Sequence, residues 1–252
     1  MSAKNIILQN SDLIFYITDF LDDKSSFQFF NSNRYYNDII KKYPFRYTVK
    51  KIIQDFNNTD QQSKYKIVNY EYHKSTLPIS NIPSTITYLS FGDLFNLNLP
   101  TFPNTLRSLS LGYTFNKYVD HLPLGLTCLR FGDCFDQPVD HLPPTLKELY
   151  FGIYFDQIVD NLPSSLVKLV FGKIFNQPVD HLPNGLKNLV FDIYFNQTVD
   201  KLPESLTNLT LKTKFSQPLN KLPQLTHLTL SKKYKLSLDK LPATLLFLKF
   251  GI

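Results

Sequence analysis

Carboxylate and imidazole side chains recur at fixed spacing in this chain, so metal binding is the first chemistry to consider. An aspartate appears every twenty residues between positions 120 and 200, and a histidine follows it in three of the five cases. Calcium-binding repeats use glycine-rich turns with close oxygen ligands, which these segments lack. We therefore expect each carboxylate to accept backbone N–H groups in an Asx turn, and we predict no metal site. The residues are Asp120, Asp140, Asp160, Asp180 and Asp200, with His121, His141 and His181.

Thiol and nucleophile chemistry is equally weakly supported. Cys128 and Cys134 lie six residues apart, and near-extended chain separates such residues by up to ~20 Å, beyond disulfide reach. We interpret both as reduced thiols. The sequence has no phosphate-binding glycine loop, no nucleophile elbow and no His/Cys cluster with ligand spacing. It predicts a protein that is not an enzyme and that needs no cofactor.

A twenty-residue repeat must position all these side chains. Apolar residues hold fixed places after each proline, at the third, sixth, eighth, twelfth and sixteenth positions, and a leucine usually precedes the next proline. Burying six such side chains yields roughly 10–15 kcal/mol, whereas ordering twenty residues costs on the order of 30 kcal/mol. One unit cannot fold alone, so about nine units must stack as a solenoid. The prolines are Pro83, Pro103, Pro123, Pro143, Pro163, Pro183, Pro203, Pro223 and Pro242, the last step being nineteen residues.

Each unit contains one predicted strand and one recurring aromatic residue. The alternation of Leu and Phe at the sixth and eighth positions predicts a short strand with both residues pointing inward. Stacked strands would form a parallel sheet rising about 4.8 Å per unit. The phenylalanine at the twelfth position predicts an internal aromatic spine rather than a base-stacking platform. We expect a glutamine column to bond turn backbone: Gln137, Gln157, Gln177, Gln197 and Gln217.

The N-terminal part has a different pattern. Between residues 11 and 44, apolar residues recur at helical spacing after the candidate cap Ser11, and Pro44 ends the last of three short helices. Such a bundle has a very small core. Residues 45–81 are mixed, and residues 66–72 predict a strand that covers the open end of the first repeat.

Two resemblances to known families follow from these segments. Asp12-Leu13-Ile14, Phe20-Leu21-Asp22 and Arg34-Tyr35-Tyr36 resemble the F-box. This resemblance implies docking on a Skp1-type adaptor of a cullin-RING ubiquitin ligase. The residues implied in adaptor binding are Leu13, Ile14, Ile17, Phe20, Leu21 and Phe27.

The repeats resemble the FNIP repeat, a short relative of leucine-rich repeats. The resemblance is carried by Phe135-Asp136-Gln137-Pro138 and Phe175-Asn176-Gln177-Pro178, each leading to Leu-Pro-x-x-Leu-x-x-Leu. Proteins that join an F-box to FNIP repeats are familiar from giant viruses and social amoebae. The predicted fold class is therefore α+β, with a helical F-box-like module at 1–44 and a connector and cap at 45–81. A parallel-β, leucine-rich-repeat-like solenoid of about nine 20-residue units is predicted at 82–252.

Strand positions five and seven should face outward on either side of the buried leucine, and they vary from unit to unit. A mixed stripe in the middle units predicts a binding face for an unknown target protein. The alternative is plain solvated surface on a repeat scaffold with no link to ubiquitin ligases. The predicted target-binding residues are Arg130, Glu148, Tyr150, Lys168, Val170, Asn188 and Val190.

The distribution of charge and the hydropathy of the chain limit the classes of partner and the expected location. Residues 211–252 carry 8 basic and 1 acidic residues, whereas residues 81–210 carry 8 and 12. A basic end attracts acidic partners or nucleic acid, but no base-reading motif accompanies it, so nucleic acid is not the expected partner. Residues 1–10 show no secretory apolar segment, and no run of about twenty apolar residues occurs. We expect an intracellular, cytoplasmic protein, in the host cell if it is viral, without membrane contact or obligate oligomer.

Overall fold

The computed structural model describes residues 86–251, together with Ile82, Ser84 and the backbone of residues 49–50 and 68–69. The chain divides into two units, Met1–Glu71 and Tyr72–Ile252. In the first unit, β1 (Val49–Lys50) pairs in parallel with β2 (Val68–Asn69). Strand β2 falls within the strand predicted at 66–72. The helices predicted between residues 11 and 44 lie outside the described residues.

The second unit is built on a parallel sheet of nine strands in chain order. The sixth-position leucines pair directly across neighbouring strands, as Leu109 does with Leu129, so eight turns of about twenty residues connect the nine strands. The structure confirms the predicted parallel-β repeat. The strands are β3 (Tyr88–Ser90), β4 (Ser108–Ser110), β5 (Cys128–Arg130), β6 (Glu148–Tyr150), β7 (Lys168–Val170), β8 (Asn188–Phe191), β9 (Asn208–Leu211), β10 (His227–Ser231) and β11 (Phe247–Gly251).

A tight turn after each proline starts the strand. The N–H of Leu146 donates to the carbonyl oxygen of Pro143 at 3.1 Å, and the N–H of Lys147 then donates to Thr127 of the preceding coil at 2.8 Å. Proline is tolerated at the first position of this turn because the turn uses its carbonyl oxygen and does not need the N–H that proline lacks. The same turn recurs along the stack, which explains the sequence spacing.

The core consists of columns of identical side chains. Up to β10, leucines at the third and sixth positions are almost fully buried, as are the phenylalanines at the twelfth position. Phe155 stacks on Phe135 and on Phe175, with 6.1 Å between ring centroids in each case. The predicted aromatic spine is confirmed. A second column lies beside it at the eighth position, where the Phe151 ring is 3.6 Å from that of Phe155.

A column of glycines follows the strands at the ninth position. A Cβ on Gly152 would lie 2.1 Å from the carbonyl oxygen of Gly132, and Gly172 is similarly crowded against Gly152. None of the described glycines has positive φ, so close backbone approach, not backbone conformation, requires glycine here. Asp192 and Lys212 replace glycine in the next two coils, and there β8 and β9 are four residues long instead of three.

The last coils differ from the rest. The turn before β10 is one residue shorter, with the Leu225 N–H donating to Pro223 at 2.7 Å, and this accounts for the nineteen-residue step. Tyr234 continues the aromatic spine, 5.9 Å from Phe215. In β11, the inward residues Leu248 and Phe250 are 40% and 44% exposed. Over the described part of the chain, no helix has the length and apolar character to span a bilayer.

Candidate functional site

Two rows of side chains cover the outer face of the nine-stranded sheet. They come from the first and third residues of each strand and flank the buried sixth-position leucine. Strand pairing aligns Cys128, Glu148, Lys168 and Asn188 in one row. The other row aligns Arg130, Tyr150, Val170 and Val190. The structure therefore brings all seven predicted target-binding residues together on the four adjacent strands β5 to β8.

Tyr150 is the centre of this face. The guanidinium carbon of Arg130 lies 3.6 Å from the Tyr150 ring centroid, and the Lys168 Nζ lies 5.2 Å from it. The Tyr150 hydroxyl donates a 2.6 Å hydrogen bond to Glu148 Oε2. Cation–π contact and the hydrogen bond to a carboxylate hold the ring in place. We call these four residues the Tyr150 cluster.

The Tyr150 cluster is bordered by apolar and small residues. Val170 and Val190 are half-buried and continue the row of Tyr150 across two further strands. On the N-terminal side, β4 presents Ser108 and Ser110. The middle of the face therefore combines two cations, one carboxylate, an aromatic ring and two valines, whereas the flank at β4 carries serine hydroxyl groups.

Cys128 lies beside the cluster but is not poised for nucleophilic chemistry. Burial raises the pKa of its thiol, and the nearby Arg130 only partly offsets this effect. A thiol with a raised pKa stays protonated at neutral pH, and the thiolate is the reactive form. Both cysteines are free.

The aspartate column bridges coils instead of forming local turns. Asp140 accepts a hydrogen bond from the side-chain amide of Asn161 at 3.0 Å, and Asp180 pairs with Lys201 at 3.0 Å. The prediction of Asx turns was wrong for these two, because the side chain 21 residues later reaches back across the coil interface. Asp200 accepts a backbone N–H, but from Lys221 of the next coil at 3.3 Å, so it does not form the predicted Asx turn either. Within residues 86–251, no three potential metal-binding side chains converge.

Sequence reasoning missed an asparagine and aspartate ladder at the thirteenth position. The Asn176 Oδ1 accepts the backbone N–H of Asn196 at 2.8 Å. An equivalent bond links each pair of successive thirteenth-position residues, beginning with Asn96 and ending with Ser216. The signal was present, since six consecutive units carry Asn or Asp there. The acceptors are Asn96, Asn116, Asp136, Asp156, Asn176 and Asn196.

The glutamine column supports this ladder. The Gln197 and Gln217 side chains donate to backbone oxygens of the preceding coil, as predicted. Gln137 and Gln157 donate instead to the side-chain oxygens of Asn116 and Asp136, both at 2.9 Å. The polar columns thus satisfy turn backbone and have a structural role.

Comparison with known proteins agrees with this geometry. Residues 72–114 and 135–174 match the FNIP repeat model. The chain also resembles the crystal structure of CroV588, a protein described as a novel circular leucine-rich-repeat structure. The TM-score is 0.64 with 39% sequence identity, and the match covers 73% of this chain but only 29% of that one. No curated protein matches the sequence.

These matches support a leucine-rich-repeat-like solenoid and, by its nature, a repeat scaffold suited to protein partners. The repeat match begins at residue 72, so it does not include residues 11–44.

Proposed function

We propose that the solenoid is a receptor that binds a target protein through the middle of its outer sheet face. The observation that carries this proposal is the Tyr150 cluster, in which Arg130 and Glu148 fix an aromatic ring beside two valines. Tyrosine and arginine are enriched among the residues that dominate binding energy in protein interfaces. A ring that is already held loses less conformational entropy when a partner covers it.

The charged residues of the cluster and its neighbours suit the periphery of an interface. Lys168, Glu148 and Asn188 supply charge and hydrogen-bonding groups, whereas Val170 and Val190 supply apolar area. A polar rim around a small apolar and aromatic centre is the usual composition of such surfaces. The expected target therefore presents an apolar side chain to the valines and a carboxylate to Arg130 or Lys168.

The role of the N-terminal part is a further component of the proposal. Residues 1–44 would dock a Skp1-type adaptor, which would make the protein a substrate-recognition subunit of a cullin-RING ubiquitin ligase in the cytoplasm. The support is the sequence pattern of an F-box, carried by Leu13, Ile14, Ile17, Phe20, Leu21 and Phe27. These residues lie outside the described part of the chain. In this arrangement the protein positions its target and other subunits perform the catalysis.

Co-purification with a eukaryotic Skp1 homologue tests the adaptor component. The intact chain should recover the adaptor, and the Ile17→Asp/Phe20→Asp variant should lose it while keeping the same repeat unfolding transition. Recovery of adaptor by neither protein would leave a repeat scaffold without a ubiquitin-ligase role.

Site-specific photocrosslinking tests the receptor face. A photoreactive phenylalanine analogue at Val170 should yield a discrete adduct in cells, and Tyr150→Ala in the same chain should reduce it. Tyr154→Ala is the matched control, because Tyr154 is an exposed tyrosine of the same coil that lies outside the two rows. Equal adduct yield from Tyr150→Ala and Tyr154→Ala would contradict the proposed face.

A further inference from the structure

Four exposed lysines form a basic surface at the turn that follows β9 and β10. Their positions are fixed by the aromatic spine, because Lys214 and Lys233 immediately precede the buried Phe215 and Tyr234, whose rings stack 5.9 Å apart. With the rings inside, the preceding side chains point to solvent. We call this surface the lysine corner: Lys214, Lys232, Lys233 and Lys235, all exposed.

The backbone of the lysine corner is held by hydrogen bonds. The Lys214 N–H donates to the carbonyl oxygen of Ile193 at 2.9 Å, and the Lys232 N–H donates to Gly251 at 3.1 Å. The Lys233 N–H donates to the Ser231 hydroxyl at 3.1 Å. Ser231 itself is buried. The four lysines therefore project from an ordered turn in two successive coils, and the Lys214 Nζ lies 5.9 Å from the Tyr194 ring centroid.

The protein does not neutralise this charge itself. Asp192, the acidic residue of the neighbouring coil, is already paired with Lys212 at 3.1 Å. Asp239 accepts a hydrogen bond from Ser237 at 2.7 Å. Across residues 86–251, none of the lysines of the corner has a carboxylate within ion-pair distance. Residues 211–252 carry 8 basic and 1 acidic residues, so a concentrated positive potential faces solvent here.

We propose that the lysine corner binds an acidic segment of a protein partner, a short run of Asp and Glu residues. An extended segment of about five residues covers on the order of 17 Å, enough to cross both coils. Acidic peptide fits better than nucleic acid because the corner contains lysine alone. Arginine, whose fork binds phosphate bidentately, does not occur after Arg130. The site is separate from the Tyr150 cluster and requires neither the adaptor nor the target face.

Fluorescence anisotropy with short probes tests this proposal directly on the full chain. Labelled hexaglutamate should bind in about 50 mM salt and weaken strongly at about 200 mM, whereas hexaglutamine should not bind. Lys214→Glu/Lys233→Glu should weaken hexaglutamate binding at least about tenfold, because each substitution replaces attraction by repulsion. Lys147→Glu/Lys187→Glu changes the net charge equally at two exposed lysines elsewhere, and it should weaken binding less than about threefold.

Three results would overturn the proposal. If the two double variants weaken hexaglutamate binding equally, binding depends on net charge alone. If hexaglutamate does not bind at low salt, the lysine corner is not a binding site for acidic peptide. A single-stranded dodecanucleotide that binds more than about tenfold tighter than hexaglutamate, and is lost in the Lys214/Lys233 variant, would make the corner a nucleic-acid site. The unfolding midpoints of the two double variants show whether each still folds. If Lys214→Glu/Lys233→Glu unfolds, Lys214→Gln/Lys233→Gln is used in its place.

Discussion

The inner columns and the outer rows of this solenoid come from the same strands and follow opposite rules. Leu149 is fully buried and stacks between leucines on both sides. Its neighbours Glu148 and Tyr150 face outward, and the residues above and below them differ in type. Stacking requires the same shape at every level inside, because each coil is packed only by its neighbours. The outer rows carry no such constraint, so they are free to form a distinct surface.

Removing one ring of the aromatic spine should have the largest effect on the interior. Phe155→Ala is expected to lower the free energy of unfolding by about 4 kcal/mol, since a fully buried phenyl group is lost and a cavity remains. Urea denaturation followed by circular dichroism measures this loss. Tyr154→Ala is the matched control from the adjacent, exposed position and should cost less than about 1 kcal/mol. Similar losses would show that inside and outside are not energetically distinct.

The glycine column should be the next most sensitive feature. Gly152→Ala is expected to cost about 3 kcal/mol, because the new methyl group meets the Gly132 backbone instead of a flexible side chain. Asp192→Ala, at the same position where the strand is longer, should cost less than about 1 kcal/mol. Thermal unfolding of both variants measures the two losses of stability. A tolerated Gly152→Ala would mean that the coils can separate locally without loss of packing.

The ladder at the thirteenth position should contribute less. Asn176→Ala removes the acceptor for the Asn196 N–H and is expected to cost about 1–2 kcal/mol, since a half-buried donor is left unpaired. Hydrogen exchange of the Asn196 amide should accelerate in this variant. Asn184→Ala, at an exposed turn position, serves as the control. Unchanged exchange at Asn196 would show that solvent already replaces the side-chain acceptor.

The outer rows should show the smallest stability effects. A double-mutant cycle on Arg130→Ala and Tyr150→Ala should give a coupling of about 0.5–1 kcal/mol from the cation–π contact. Neither single substitution should lower the unfolding free energy as much as Phe155→Ala does. A coupling near zero, measured by urea denaturation, would indicate that Arg130 does not hold the ring in solution.

The sequence was sufficient for the interior and for the placement of the outer rows. Proline spacing and the repeated Leu and Phe positions predict stacked parallel strands, because periodic apolar residues translate directly into columns. The same spacing placed Arg130 and Tyr150 on neighbouring strands. Their contact depends on side-chain rotamers, and no repeat pattern specifies these.

The polar columns were harder to predict because their partners lie in the next coil. The position of Asp140 and Asp180 before the Leu-Pro corner predicts local turns, yet their hydrogen bonds go to residues 21 positions later. The Asn176 ladder has a regular sequence pattern, but nothing within a single unit shows that the acceptor serves a backbone N–H of the next coil. Local turn rules describe contacts within a few residues, whereas a solenoid satisfies many polar groups between levels.

The glycine column has a consequence for how this chain could change length. Because the backbone of each glycine packs closely on the backbone of the coil below, a slip of a single residue would place a side chain in that contact, whereas insertion of a whole twenty-residue unit restores it. A copy of residues 143–162 inserted after Leu162 should therefore add one rung, with a higher unfolding midpoint or an unchanged one. Such a module could have multiplied by tandem duplication of its coding segment, each copy functional from its first appearance.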